Sequence, residues 1–181
     1  MQSAPVVSPL AFLFHKAFLP CQTGHGESGT KFGLQRRAGE TILLFRTDGD
    51  GKVKGGNIDT FAAHFGIGDD EPRADVLLFY AREQQGQGFI CRLAFIEMKG
   101  RDISHAFKQL ERMVIAVKDT LMPILGKPLF QAGNLRAIIV SRRSPPEDLK
   151  RMQKEFAMRR GFAPQVCKHN DERELRQQLL G

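Results

Sequence analysis

The chain has 181 residues, 41% hydrophobic and 26% charged, with a formal net charge of +7. That length suits one domain spanning residues 1–181 with a sizeable core, and the composition is that of an ordinary globular protein rather than a disordered or fibrous one. The positive balance favours polyanionic partners, nucleic acid above all, while the widely spaced Cys21, Cys91 and Cys167 form no CxxC pair and exclude a zinc module or a disulfide framework.

Residues 9–19 are expected to form a short amphipathic helix. Its run Leu10-Ala11-Phe12-Leu13-Phe14 is too short for a membrane span and lacks the basic start of a signal peptide. The expected location is therefore cytoplasmic, with no membrane partner. Residues 20–33 are rich in glycine and polar groups and read as a loop. Within them Gly24-His25-Gly26-Glu27-Ser28-Gly29 matches GxGxxG on paper, but no strand pattern precedes it and no helix pattern follows, so the dinucleotide fingerprint fails.

A strand is expected over Glu40 to Thr47, and Asp48-Gly49-Asp50-Gly51 then reads as a turn. The second half of a calcium loop is missing there. Residues 58–65 suit a short helix or a loop. Two strands follow, near 74–80 and 89–98, joined through Gln84-Gln85-Gly86-Gln87-Gly88 as a hairpin with a longer loop.

A helix starts near Asp102, its N-cap, and carries one apolar stripe of Ile103, Ala106, Phe107, Leu110, Met113, Val114 and Val117. Pro123 and Gly126 mark its end. The continuous apolar run 135–141 suits a strand buried on both faces. The next helix is expected from Ser144 as N-cap, Pro145 at the first position and Glu147 closing a capping box, with Gly161 as the stop. A short strand near 164–168 and a charged terminal helix over 171–180 complete the order. The 89–98 strand, the helix and the 135–141 strand form a βαβ unit with parallel strands. The earlier hairpin adds antiparallel ones, and the fold class is α/β, a mixed central sheet flanked by helices.

The chemistry concentrates at the end of the hairpin. Glu97 and Lys99 are two apart and share one face of a strand, with Met98 on the other. A hairpin symmetric about Gly86 sets Asp75 directly across from Glu97, where opposed Cβ atoms lie about 4.5–5.5 Å apart. Two carboxylates that close suit a shared cation such as Mg²⁺, which takes oxygen ligands and keeps sites for water and phosphate. Lys99 would then orient water or offset charge on a scissile phosphate.

Asp75 at the start of one strand, Glu97-Met98-Lys99 at the end of the next, and the helix behind them resemble the PD-(D/E)XK nuclease superfamily, the restriction-endonuclease-like fold. The element order agrees from about residue 41 to 141. The stretch Phe95-Ile96-Glu97-Met98-Lys99-Gly100-Arg101-Asp102, with Ser104-His105-Ala106 and Gln109-Leu110, is similar to small bacterial members. The resemblance implies an αβββαβ core, Asp75 and Glu97 as ligands of Mg²⁺ or Mn²⁺, Lys99 as the catalytic lysine, and Gln109 reaching the site from the helix. The chain departs from the pattern in having Ala74 rather than proline before Asp75, the nearby proline being Pro72. Met113 stands where some members carry a tyrosine four residues after the glutamine. A further acidic ligand, which many members take from the first helix, would have to come from Glu27, Glu40 or the cluster Asp69-Asp70-Glu71.

Arg142 and Arg143 leave the 135–141 strand at the same end as Lys99, which makes them candidate phosphate contacts. Lys150, Arg151, Lys154, Arg159 and Arg160 suit a solvated helix face. The expected function is a metal-dependent nuclease hydrolysing phosphodiester bonds by direct attack of water, with DNA as the expected substrate. Since no separate sequence-reading module is recognisable, specificity falls to loops, a homodimer or a partner protein. The rival readings are a non-catalytic nucleic-acid-binding or scaffold module of the same fold, and a hydrolase of a small phosphorylated molecule.

Overall fold

The computed structural model describes residues 24–27, 29–47, 62–68, 71–84, 88–99 and 102–180. The helix expected over 9–19 and the turn at 48–51 lie outside them.

The seven described strands are β1 (Gly24–Glu27), β2 (Thr30–Gly33), β3 (Glu40–Arg46), β4 (Val76–Gln84), β5 (Gly88–Lys99), β6 (Leu135–Ser141) and β7 (Gln165–Lys168). The helices are α1 (Ile103–Leu125), α2 (Leu149–Arg160) and α3 (Glu172–Leu180), with 3₁₀ turns at Ala62–Phe65 and Lys127–Phe130. The main sheet has five strands in the order β3-β4-β5-β6-β7. β3 pairs with β4 and β4 with β5 antiparallel, while β5 pairs with β6 and β6 with β7 parallel. The fold is thus mixed α/β with helices on both faces of a five-stranded sheet.

Alternation along the strands assigns the two faces. Phe45, Leu77, Leu93, Phe95, Ala137 and Ile139 pack under α1 and α2, where Phe107 meets Phe156 edge to face with ring centroids 6.1 Å apart. The whole expected α1 stripe is buried in this layer. Leu44, Val76, Leu78, Ile96, Met98 and Ile138 face the other way, against Leu175 and Leu179 of α3 and Phe32 and Leu34 of the β2 segment. Residues 137–140 of β6 are buried on both faces, as their unbroken apolar run requires.

Three local expectations are corrected. Residues 24–27 and 29–33 are not a loop but a hairpin of β1 and β2, with Gly29 at φ +77° before β2. Thr30 and Phe32 turn inward while Lys31 points out, a strand alternation hidden among polar residues. α2 starts later than Ser144: its N-cap is Asp148, which makes no side-chain capping bond. Pro146 explains the delay, because the residue before a proline is pushed out of the helical region and Pro145 therefore cannot open the helix. α1 runs past Pro123 and stops at Gly126, whose N–H bonds the Met122 carbonyl. The expected N-cap of α1 holds, with Asp102 Oδ1 accepting the His105 N–H at 2.9 Å.

Candidate active site

The β4–β5 register pairs Val76 with Ile96 and Leu77 with Phe95. Continued by one residue, it sets Asp75 across from Glu97, the alignment expected from symmetry about Gly86. Asp75 and Glu97 alternate with Val76 and Ile96 and so belong to the α1 face of the sheet.

The two acids are joined through the backbone. The Asp75 N–H donates to Glu97 Oε2 at 3.1 Å, and the Met98 N–H donates to Asp75 Oδ2 at 2.6 Å. Lys99 Nζ lies 2.6 Å from Glu97 Oε1. Glu97 is 0% and Asp75 5% exposed, while the Lys99 side chain reaches 22%. This is not a surface ion pair at a strand end: both carboxylates are buried and the lysine side chain is only partly exposed. A buried carboxylate pair needs compensating donors or cations, and here the backbone N–H groups and Lys99 supply them.

The segment that delivers Asp75 is pinned at three successive carbonyls. Gln109 Nε2 of α1 donates to the Arg73 carbonyl at 2.8 Å, the Thr47 hydroxyl donates to the Ala74 carbonyl, and the Thr47 N–H donates to the Asp75 carbonyl at 2.9 Å. Gln109 is therefore bound to the strand that carries Asp75. Its Oε1 is buried and, among the described residues, accepts no hydrogen bond. Thr47, at the end of β3, was not legible in the sequence, since a lone threonine after a strand carries no signal of a partner 27 residues away.

Glu40 lies at the far end of β3, opposite Arg82, and accepts from Tyr80 at 2.7 Å and Arg176 at 2.5 Å. It is a partner of α3, not of Asp75. Glu71 forms a two-pronged pair with Arg112 of α1 and accepts the Gly68 N–H. That pair, through Arg112 first, holds the Glu71 carboxyl below the usual range. Asp69, Asp70 and the Glu27 side chain lie outside the described residues. Among those described, no group of three or more His, Cys, Asp or Glu side chains is placed to hold a metal. Asp75 and Glu97 nonetheless offer the hard oxygen donors that Mg²⁺ or Mn²⁺ takes, and Mg²⁺ is ordinarily held by one or two carboxylates with water and phosphate completing its shell.

Lys99 pairs with Ser141 across β5 and β6, so Arg142 and Arg143 leave the sheet at the Lys99 end. Both are exposed and, among the described residues, neither is in an ion pair. The other helix cations behave differently. Arg151 bridges Asp148 and Glu155, and Arg159 and Arg160 both clamp Glu111 of α1.

No family model, curated protein or solved structure matches the chain. No helix among the described residues is long and apolar enough to cross a membrane. The stretch 24–29 forms β1 and its turn rather than a strand-to-helix junction, which removes the geometry a dinucleotide loop requires.

Proposed function

We propose that the chain is a metal-dependent nuclease of the PD-(D/E)XK type, acting on phosphodiester bonds, with DNA as the substrate. The observation that carries this reading is the opposed, buried pair Asp75 and Glu97 with the partly exposed Lys99 on the same face, its Nζ 2.6 Å from Glu97 Oε1. The element order β3-β4-β5-α1-β6 in a mixed sheet supports this reading.

Asp75 and Glu97 would be the protein ligands of Mg²⁺ or Mn²⁺. When bound, the ion polarises a phosphoryl oxygen and acidifies water. The Lys99 side chain, on the same face as the two acids, would contact a non-bridging phosphate oxygen and offset the charge that grows there in the transition state. Its contact with Glu97 fixes the ammonium without burying it fully. Thr47 and Gln109 are positioning residues, holding the backbone that aims the Asp75 carboxylate. Arg142 and Arg143 meet the backbone phosphates beside the reacting one and lend no base preference.

The test is incubation of purified protein with supercoiled, linear, single-stranded and branched DNA, with Mg²⁺, with Mn²⁺ and with chelator. The reading requires cleavage of at least one substrate that depends on the metal. Binding without cleavage under every metal condition would transfer the fold to the non-catalytic, nucleic-acid-gripping class.

A further inference from the structure

A second site lies beside the first, at the C-terminal ends of β6 and β7. A cavity of about 430 Å³ opens there, lined among others by Arg142, Arg143, Cys167, Lys168, His169 and Glu174. Ligand crevices in α/β sheets form outside the carboxyl ends of parallel strands, which is where this cavity lies.

Register connects it to the candidate active site. Lys99 pairs with Ser141, and Ser141 pairs with Lys168. Partners in a parallel sheet share a face, and Val166, two residues before Lys168, packs in the α1 layer. Lys99, Ser141 and Lys168 therefore form one row across three strands. Neighbouring strands are about 4.8 Å apart, so the two lysines lie roughly 10 Å from each other along that row. One nucleic-acid strand carries a phosphate about every 3.4 Å of helix axis. A span of roughly 10 Å is then at most about three nucleotides.

The lining suits an anion. Arg142, Arg143 and Lys168 are exposed and, among the described residues, in no ion pair. The one acid in the wall, Glu174, already accepts the Lys168 N–H at 2.7 Å. His169 Nδ1 accepts the Lys31 N–H at 2.9 Å, so the ring carries its proton on Nε2, a neutral donor. The Asn170 N–H in turn bonds the Lys31 carbonyl, which docks the β1–β2 hairpin on this corner. Asn170 sits at φ 58°, and the guanidinium of Arg142 comes 3.0 Å from where a Cβ on Gly29 would stand. The Arg142 guanidinium thus lies against the turn of the β1–β2 hairpin. Cys167 takes no part as a nucleophile, since burial first, and the Glu174 and Asp171 carboxylates next, push its thiol up to about 12.

We propose that this cavity holds a second phosphate of the nucleic-acid strand, at most about three nucleotides from the bond set over Lys99, with Lys168, Arg142 and Arg143 as its charged contacts and His169 as a neutral donor. The proposal deepens the nuclease reading and rests on it for the direction of the strand. It makes Lys168 part of the substrate path although 69 residues separate it from Lys99.

The test is a titration of labelled oligonucleotides, bearing either a 5′-phosphate or a 5′-hydroxyl, against cleavage-disabled Glu97→Gln protein at several salt concentrations. Lys168→Glu and Lys168→Met are compared with Arg151→Glu, an equal charge reversal on the ion-paired outer face of α2, after thermal melts verify folding. Loss of one phosphate contact at 0.15 M salt weakens binding roughly fivefold and lowers the salt slope by about one. The expected result is that loss for Lys168→Met, a larger one for Lys168→Glu, and a change under twofold for Arg151→Glu. Preference for the 5′-phosphate that vanishes with Lys168→Met identifies a terminal monoester as the occupant, and equal loss on both oligonucleotides identifies an internal diester. Unchanged binding by folded Lys168→Met and Lys168→Glu, or an equal loss with Arg151→Glu, overturns the proposal. Cleavage by the wild-type protein is scored separately. A protein that cuts DNA but ignores Lys168 loses only this site, one that binds through Lys168 without cutting loses only the nuclease reading, and one that binds neither oligonucleotide loses both.

Discussion

Asp75 gives its backbone N–H to Glu97 Oε2 at 3.1 Å while its own carboxylate accepts the N–H of Met98, the next residue of the same strand as Glu97, at 2.6 Å. The two acids are thus fixed by the main chain before any ligand arrives. Each carboxylate has a structural duty as well as the proposed chemical one, and substitutions must separate the two.

Glu97→Ala should be costly to the fold. It strands a buried N–H at Asp75 and removes the acid partner of Lys99, which together should destabilise the protein by roughly 2–4 kcal/mol. Glu97→Gln keeps an oxygen that can accept from Asp75 and should lose much less, while still abolishing metal-dependent cleavage. Urea unfolding of both variants checks the difference. Equal stability of the alanine and glutamine variants would contradict the hydrogen-bonded arrangement.

Metal binding should appear as stabilisation. At a hundred times its dissociation constant, Mn²⁺ would add about 2.7 kcal/mol, or roughly 5–10 °C in melting temperature for a chain of this size. Asp75→Asn, which retains an acceptor for the Met98 N–H, should melt near the wild type without metal and gain little when metal is added. Melting curves with and without Mn²⁺ measure this directly.

Far from the site, Glu40, Tyr80 and Arg176 form a buried cluster that ties α3 to β3 and β4. Burial raises the Glu40 carboxyl, but hydrogen bonds from Tyr80, Arg176 and the Arg37 N–H, with the Arg176 charge, outweigh it and hold the group below its ordinary 4.5. A depressed carboxyl contributes its full stability above the unfolded value and loses it as pH falls through the folded one. Stability should therefore decline below about pH 4.5, and Glu40→Gln should flatten that part of the profile. Arg176→Met, which leaves the acid buried without its cation, should cost about 3–5 kcal/mol near neutral pH. Denaturant midpoints across pH 3–7 test both statements.

The cysteines should differ in reactivity. Cys167 is buried and its thiol is pushed up to about 12, whereas Cys91 is exposed. Brief iodoacetamide treatment of the native protein near pH 8 should label Cys91 and spare Cys167, and unfolding should equalise them. Peptide mass spectrometry reads the outcome, and native labelling of Cys167 would show that the β7 layer opens readily.

The parts of the fold that were legible in the sequence are those written in local periodicity. The α1 stripe from Ile103 to Val117, the apolar run of β6 and the two-residue spacing of Glu97 and Lys99 all translate directly into faces. The Asp75–Glu97 opposition was legible because a hairpin's register follows from its centre, here Gly86. Pairings between distant segments were not. Thr47 on Ala74, His169 on Lys31 and Arg176 on Glu40 join residues 27, 138 and 136 apart. Lys168 entered the row with Lys99 only because β7 adds in parallel to β6, which no local pattern states. The β1–β2 hairpin was obscured by its glycines. The resemblance implies that Gln109 reaches the site from the helix; its amide nitrogen holds the Arg73 carbonyl, and nothing in the spacing says which group it meets.

The most direct measurement of the central claim compares wild type with Lys99→Met in single-turnover cleavage of the best DNA substrate with Mn²⁺, alongside binding of the same DNA in chelator. Methionine keeps the Lys99 stem but leaves the buried Glu97 without its cation, so a thermal melt first verifies that the variant is folded at the assay temperature. The account predicts that cleavage falls by at least about a hundredfold, the scale of a lost transition-state charge contact, while affinity changes by no more than several-fold. Cleavage at the wild-type rate by Lys99→Met would contradict it, and would remove Lys99 from the chemistry.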